Sequence, residues 1–119
     1  MQYMLLIYGA EERWGKLGEA ERGKILQEYM EFSKSVAGSG HYRAGNELDV
    51  TAKATTVRMR EGKRMVTDGP FAETKEQLGG YYLVEAKDLD EAIAIGSRIP
   101  SARWGSIEVR PIIPHDLPS

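Results

Sequence analysis

The chain has 119 residues, of which 41% are hydrophobic and 29% charged, with a net charge of −2. That is the make-up of one ordinary globular domain, long enough to bury a core without staples, and its charge gives no electrostatic ground for nucleic acid as a partner. No cysteine is present, which removes disulfides, thiolate catalysis and cysteine-ligated metals and suits a reducing cytoplasm.

The opening run Met1 to Tyr8 is apolar but has no basic lead-in and no small-residue cleavage site. It is also far shorter than the roughly 20 apolar residues a bilayer span requires, so a soluble cytoplasmic protein with no membrane partner is expected. Within it, Tyr3 to Tyr8 is rich in strand formers and apolar on both sides, ending at Gly9. Such a run predicts a central strand covered on both faces. Ala10 to Gly18 mixes charges with two glycines and reads as a surface loop anchored by Trp14.

From Glu19 to Ala37 the pattern becomes helical. Ile25, Tyr29, Phe32 and Val36 recur at steps of four, three and four, which places them on one face, widened by Leu26, Met30 and Ser33. Gly38-Ser39-Gly40 ends the helix. The polar, glycine-containing stretch His41 to Thr51 reads as a connection. Ala54 to Arg60 alternates, Glu61-Gly62 makes a tight turn, and Lys63 to Thr67 returns, predicting a β-hairpin. Tyr81 to Ala86 predicts a further strand, with Tyr81 and Tyr82 facing opposite ways.

Asp88, three residues before Glu91, resembles a capping pair that opens a second helix. Leu89, Ala92, Ile93 and Gly96 form its expected inward stripe, and Pro100 stops it near Ile99. Ile107 and Val109 alternate with Glu108 and Arg110 in a last strand. Residues 1–111 thus make a single domain, followed by a proline-rich tail over 112–119. With one hairpin arm set aside, the order is that of a ferredoxin-like split β-α-β subunit: an α+β fold with both helices on one face of an antiparallel sheet. The other face needs cover, and a second copy of the same sheet supplies it, so a homodimer is expected.

One stretch concentrates special residues: Asp68-Gly69-Pro70-Phe71-Ala72-Glu73-Thr74-Lys75-Glu76-Gln77-Leu78-Gly79-Gly80-Tyr81-Tyr82. Asp68-Gly69-Pro70 is a turn, in which Asp68 is placed to cap a short turn over 72–78 that Gly79-Gly80 ends. This stretch resembles the signature of the DGPF-domain proteins, a branch of the YCII-related superfamily. The resemblance extends to Met4 to Gly9, to Ala54 to Arg58 and to Ile107 to Pro111, and so covers nearly the whole chain. It implies a dimeric α+β barrel built from ferredoxin-like subunits. Many members pair a histidine in the first helix with an aspartate before a later proline; here Tyr29 and Ile99 stand at those places, so a His–Asp acid/base mechanism does not carry over. The association of DGPF proteins with extracytoplasmic-function sigma factors implies a regulatory or accessory role as a rival to catalysis.

Two readings follow. In the first, a small molecule is bound or transformed in a cleft between the first helix, the hairpin and the motif loop, near the DGPF stretch. Asp68, Glu73 and Tyr29 are its candidate proton carriers, and Arg58, Asp68, Phe71, Glu73, Lys75 and Tyr82 its candidate ligand-binding residues. In the second, the motif loop or the basic hairpin of Arg58, Arg60, Lys63 and Arg64 meets a protein partner, such as one related to a sigma factor. Each candidate also has a plain structural role: Asp68 as a turn residue, Phe71 as a loop plug, Tyr29 in the core, and the hairpin charges as a guard against edge pairing. His41 and His115 are the only histidines and lack convergent donors, so no metal is expected. No phosphate loop, dinucleotide fingerprint or nucleophile elbow is present, and no cofactor is expected.

Overall fold

The computed structural model describes residues 1–115. Four strands form one antiparallel sheet: β1 (Gln2–Gly9), β2 (Tyr42–Glu47), β5 (Gln77–Glu85) and β6 (Ser106–Pro111), in the order β2-β5-β1-β6. Two further strands, β3 (Thr55–Arg60) and β4 (Lys63–Asp68), pair only with each other. The helices are α1 (Glu11–Lys16), α2 (Glu19–Gly38) and α3 (Leu89–Ser97). Numbered along the chain, the four sheet strands lie 4-1-3-2 with α2 and α3 as crossovers, which is the ferredoxin-like α+β arrangement.

The sheet register explains the core. Leu5 sits opposite Tyr82 on one side and Val109 on the other, and Tyr3 opposite Val84. This places Tyr3, Leu5, Tyr82 and Val84 on the face that α2 and α3 cover. Phe32 and Val36 of α2 and Ala92 and Ile95 of α3 pack onto it, with Ile99 beyond. On α2 the expected stripe is buried at Ile25, Phe32 and Val36, while Leu26 and Met30 lie exposed. Asp88 caps α3, its carboxylate accepting from Glu91 N at 2.9 Å, and Glu91 accepts from Lys87 N at 3.0 Å. The inward stripe of α3 is Ala92, Ile95 and Gly96, not Leu89 and Ile93, which are exposed. Gly96 faces the side chains of Ile107 and Val109, at distances that would be ordinary contact for an added Cβ.

Three stretches depart from the expectation. Ala10 to Gly18 contains the short helix α1, whose single turn and a half is too brief to leave a periodic signature. The stretch read as a connection contains β2, the edge strand that fills the sheet. Both hairpin arms leave the sheet, so β2 takes the place expected for one of them. Every residue of β3 and β4 is exposed except Thr56, which is half-buried. The radius of gyration is 16.5 Å, against about 13.5 Å for a compact chain of this length, because the hairpin stands off the body. Finally, no turn spans 72–78: the chain loops from Gly69 to Glu76, and Gly79-Gly80 lie inside β5.

The expected tail is tied at its start, where Ile112 N donates to Gln2 O at 2.9 Å; residues 116–119 lie outside the described part. No helix among the described residues is long and apolar enough to cross a membrane.

Candidate functional site

Between α2 and the β2–β5 side of the sheet a cleft of about 460 Å³ opens. That volume matches the lower part of the range for small-molecule sites. Ile25, Leu26, Tyr29 and Ser33 of α2 form one wall; Tyr42 and Gly45 to Val50 form another; Gln77 to Tyr82 of β5 lie below. Glu11, Arg13 and Trp14 of α1 complete the lining together with Ser101 and Trp104. Both tryptophans of the chain therefore line it.

Glycines make the room. Gly45 faces Tyr82 across the β2–β5 pairing, and a Cβ there would stand 2.9 Å from the Tyr82 ring. At Gly80 an added Cβ would stand 3.0 Å from the Asn46 carbonyl oxygen. The second glycine of the Gly79-Gly80 pair thus permits a close cross-strand approach, while at Gly79 the nearest atom to an added Cβ would be Ile7 O at 4.0 Å, an ordinary contact. Freed in this way, the Tyr82 ring packs edge-on against Phe32 at 5.1 Å and Tyr42 at 6.3 Å between centroids.

Two tyrosine–serine pairs supply the polar groups. The Tyr29 hydroxyl is hydrogen-bonded to Ser101 Oγ at 2.5 Å, and the Tyr82 hydroxyl to Ser33 Oγ at 2.8 Å. Tyr29 and Ser33 are one helical turn apart, so both pairs reach the cleft from the same stripe of α2. Burial pushes both phenols above their ordinary range, with the serine hydrogen bonds pulling weakly the other way. Both are therefore neutral at physiological pH and able to donate as well as accept.

The rim is cross-tied. The Glu11 carboxylate accepts from Thr51 N at 2.9 Å and from Thr51 Oγ1 at 3.2 Å, while Glu11 N donates to Gln77 Oε1 at 2.9 Å. Leu48 N donates to Gly79 O at 2.9 Å. These bonds hold α1, the 3-10 turn at Thr51–Lys53 and the start of β5 together around the mouth. The charged lining is Glu11, Glu47 and Asp49 against Arg13, whose guanidinium lies 4.3 Å from the Trp104 ring centroid.

The residues singled out in the sequence divide sharply. Tyr29 and Tyr82 line the cleft. Arg58, Asp68, Phe71, Glu73 and Lys75 do not, and all five are exposed. Asp68 ends β4 opposite Thr55, and its carboxylate makes no hydrogen bond among the described residues, to its own backbone or otherwise. The turn there is instead held by main chain and a threonine: Gly69 N donates to Ala54 O at 2.7 Å, and Thr56 Oγ1 to Gly69 O at 2.8 Å. Phe71 is 79% exposed and plugs nothing. The hairpin contributes no residue to the cleft; α1 takes the place expected for it. Within the signature, the half from Gln77 to Tyr82 lines the cleft and the half from Asp68 to Lys75 stands outside.

Sequence reasoning missed Ser101, Trp104, Gly45 and Asn46. Ser33 was legible as the i+4 neighbour of Tyr29, and the rarity of tryptophan was a usable signal. Nothing local in the sequence brings Ser101 to Tyr29, 72 residues away. Among the described residues, no three histidine, aspartate or glutamate side chains are placed to hold a metal ion.

Comparison with known proteins agrees with the fold. The model of the YCII-related domain matches residues 1–116. An uncharacterized protein of Rhizobium meliloti (strain 1021), R00369, is 35% identical over 124 aligned positions that span the whole of both chains. With the family model covering nearly all of its length and the sheet order to match, the chain belongs to the YCII-related family.

Proposed function

We propose that the protein binds a small molecule in the cleft beside α2, and that Tyr29 and Tyr82 read its polar end. The supporting observation is the pair of tyrosine–serine hydrogen bonds set in a largely apolar and aromatic cavity of ligand size. Three carboxylates against one guanidinium in the lining favour a neutral or cationic ligand over an anion. The aromatic walls favour a planar one. Neutral phenols suit hydrogen bonding or proton donation; neither is poised as a base at neutral pH. If the cleft also transforms its ligand, Tyr29 is the group to donate the proton.

The test uses the two tryptophans as built-in reporters. A panel of planar neutral and cationic compounds is titrated while fluorescence and thermal midpoint are followed. A ligand that shifts both for the native chain, and loses about fivefold in affinity with Tyr29→Phe, supports the reading, since one hydrogen bond to a neutral group is worth about 1 kcal/mol. Binding left unchanged by Tyr29→Phe and Tyr82→Phe sinks it.

The active unit in this reading is a homodimer. The sheet face away from the helices carries Met4, Leu6, Tyr8 and Leu83, half-buried, with no helix over them among the described residues. A second copy of the sheet would cover them with a self-complementary contact. A second functional reading is favoured by Phe71, which projects from a charged loop. In that reading the protein is a regulatory or accessory module, and the loop around Phe71 meets a protein partner such as one related to a sigma factor. Phe71→Ala would then abolish capture of the partner and leave ligand titrations of the cleft unmoved.

A further inference from the structure

We propose, building on the cleft reading above, that the Trp104 ring is a seat for the cationic group of a ligand. Arg13 fills that seat until the ligand displaces it together with α1.

Trp104 carries two guanidiniums of unlike character. Arg103 lies 4.9 Å from the ring centroid and is held in place by Glu28 Oε2 at 2.7 Å and Pro100 O at 3.1 Å. It does not line the cleft. Arg13 does, and its guanidinium lies closer to the ring, at 4.3 Å. Among the described residues it makes no side-chain hydrogen bond and no ion pair. A guanidinium held over an indole by cation–π attraction alone occupies the place that a ligand cation would take.

Arg13 can leave because α1 can. This helix buries no side chain, and six residues cannot sustain a helix by themselves. A Cβ added at Gly9, Gly15 or Gly18 would meet open space, so nothing packs against the segment at these points. Its ties are polar. Glu11 is bonded to Thr51 and Gln77, and Arg22 donates to Trp14 O and Gly15 O at 3.2 Å each. Such ties, with no apolar burial beneath them, give little protection against local opening.

Charge favours the exchange. With α1 in place the lining holds Glu11, Glu47 and Asp49 against Arg13. Lifting α1 takes Glu11 and Arg13 away together and leaves Glu47 and Asp49 with no lysine or arginine in the lining. An organic cation with a flat or methylated head (a guanidinium, a pyridinium or a quaternary ammonium) would replace the lost positive charge and take over the indole. An anion would meet two carboxylates and no cation.

Trp14→Phe leaves Trp104 as the only tryptophan, and its fluorescence reads the seat directly. The probe is N-methylpyridinium, a planar cation that quenches indole on contact, with neutral acrylamide as the control. Quenching by N-methylpyridinium should saturate, and should tighten about two- to fivefold when Arg13→Ala or Arg13→Met is added, the worth of one exposed cation–π contact. Acrylamide quenching should rise less. Glu11→Ala, which unties α1 from Thr51, should act in the same direction. Equal gains for the two quenchers would make Arg13 a mere shield over an indole and overturn the proposal. So would an Arg13→Ala chain that takes up N-methylpyridinium no better than its parent. No response to Glu11→Ala would fix α1 in place and overturn the displacement. The titrations of Tyr29→Phe and Tyr82→Phe judge the polar end of the cleft separately, since neither hydroxyl is needed for a cation to reach Trp104.

Discussion

The β1–β5 pair and the β3–β4 hairpin are built from similar residues and end in opposite surroundings. Leu5 of β1 is 0% exposed and Val84 of β5 likewise, whereas Val57 of β3 is 59% exposed and Met59 the same. β-branched and apolar residues make a strand in both places. The difference is in what lies above the strand. α2 and α3 return over β1 and β5, while the turn at Glu61-Gly62 sends β4 straight back along β3 and no helix follows until after β5. A pleated apolar face is a potential for burial, and chain connectivity decides whether that potential is met within one copy. The helix-facing side of the body is therefore covered within one copy, and the arm carries its apolar face outward.

Stability measurements in urea should expose this contrast. Leu5→Ala removes a fully buried side chain between Tyr82, Val109 and the helices and should cost about 2–5 kcal/mol. Val57→Ala should change the stability of the isolated chain by no more than about 0.5 kcal/mol. A large effect of Val57→Ala that grows with protein concentration would mean that the arm is buried in an assembly. Gly105→Ala belongs with the large effects, because an added Cβ would fall 2.1 Å from the Tyr8 carbonyl oxygen, backbone against backbone. A loss of about 3 kcal/mol is expected. Inside the signature, Gly80→Ala should cost about 1–2 kcal/mol through its contact with Asn46 O, and Gly79→Ala far less. Equal costs at both positions would show that the pair matters as flexible backbone and not as a close approach.

How far the sequence could be read follows the same division. The buried face of α2, the Asp88 cap, the hairpin turn, the strands β1 and β6 and the part of β5 from Tyr81 onward all rest on local patterns, and these were legible. β2 was not, since Tyr42-Arg43-Ala44-Gly45-Asn46-Glu47 has no alternation and only Tyr42 as a strand former. Its pairing to β5 comes from main-chain hydrogen bonds, and its glycine is required by a ring on the neighbouring strand. Tyr29 and Tyr82 could be chosen from sequence because each sits in a recognisable element. The serines that hold their hydroxyls could not be, being 72 and 49 residues distant. The charged and aromatic residues of Asp68 to Lys75 drew attention because they are unusual neighbours in sequence, yet density along the chain did not translate into convergence in space.

Alkaline pH separates the body from the arm by a smaller margin. Burial raises the phenols of Tyr29 and Tyr82, the hydrogen bonds from Ser101 and Ser33 opposing it. Below about pH 10, the ordinary tyrosine value, folded and unfolded chains both keep these protons and stability is flat with respect to them. Above it the unfolded chain ionises first and holds fewer protons, so stability must fall as pH rises toward the folded values. Tyr29→Phe should make this alkaline decline shallower, measured by denaturant midpoints from pH 8 upward. A decline of unchanged slope would place the Tyr29 hydroxyl in water, outside the cleft described here.

The smallest expected effect falls on the residue that the sequence makes most conspicuous. Asp68 lies at the junction of β4 and the signature loop, exposed, with no hydrogen bond to its carboxylate among the described residues. The bend beside it is carried by Gly69, whose φ of +100° suits glycine, and by the bonds from Gly69 N and Thr56 Oγ1. Asp68→Asn keeps the shape and removes one exposed charge, so it should shift stability by less than about 0.5 kcal/mol and leave titrations of the cleft as they are. Gly69→Ala, which forces a side chain into a left-handed backbone, should cost more, about 1 kcal/mol or above. The ratio of these two effects measures whether the turn depends on its backbone or on its acid. If Asp68→Asn instead abolished ligand binding in a folded dimer while Gly69→Ala did not, the carboxylate would have to meet its target across an interface, and the outward-facing loop would be part of a site that one copy cannot form alone.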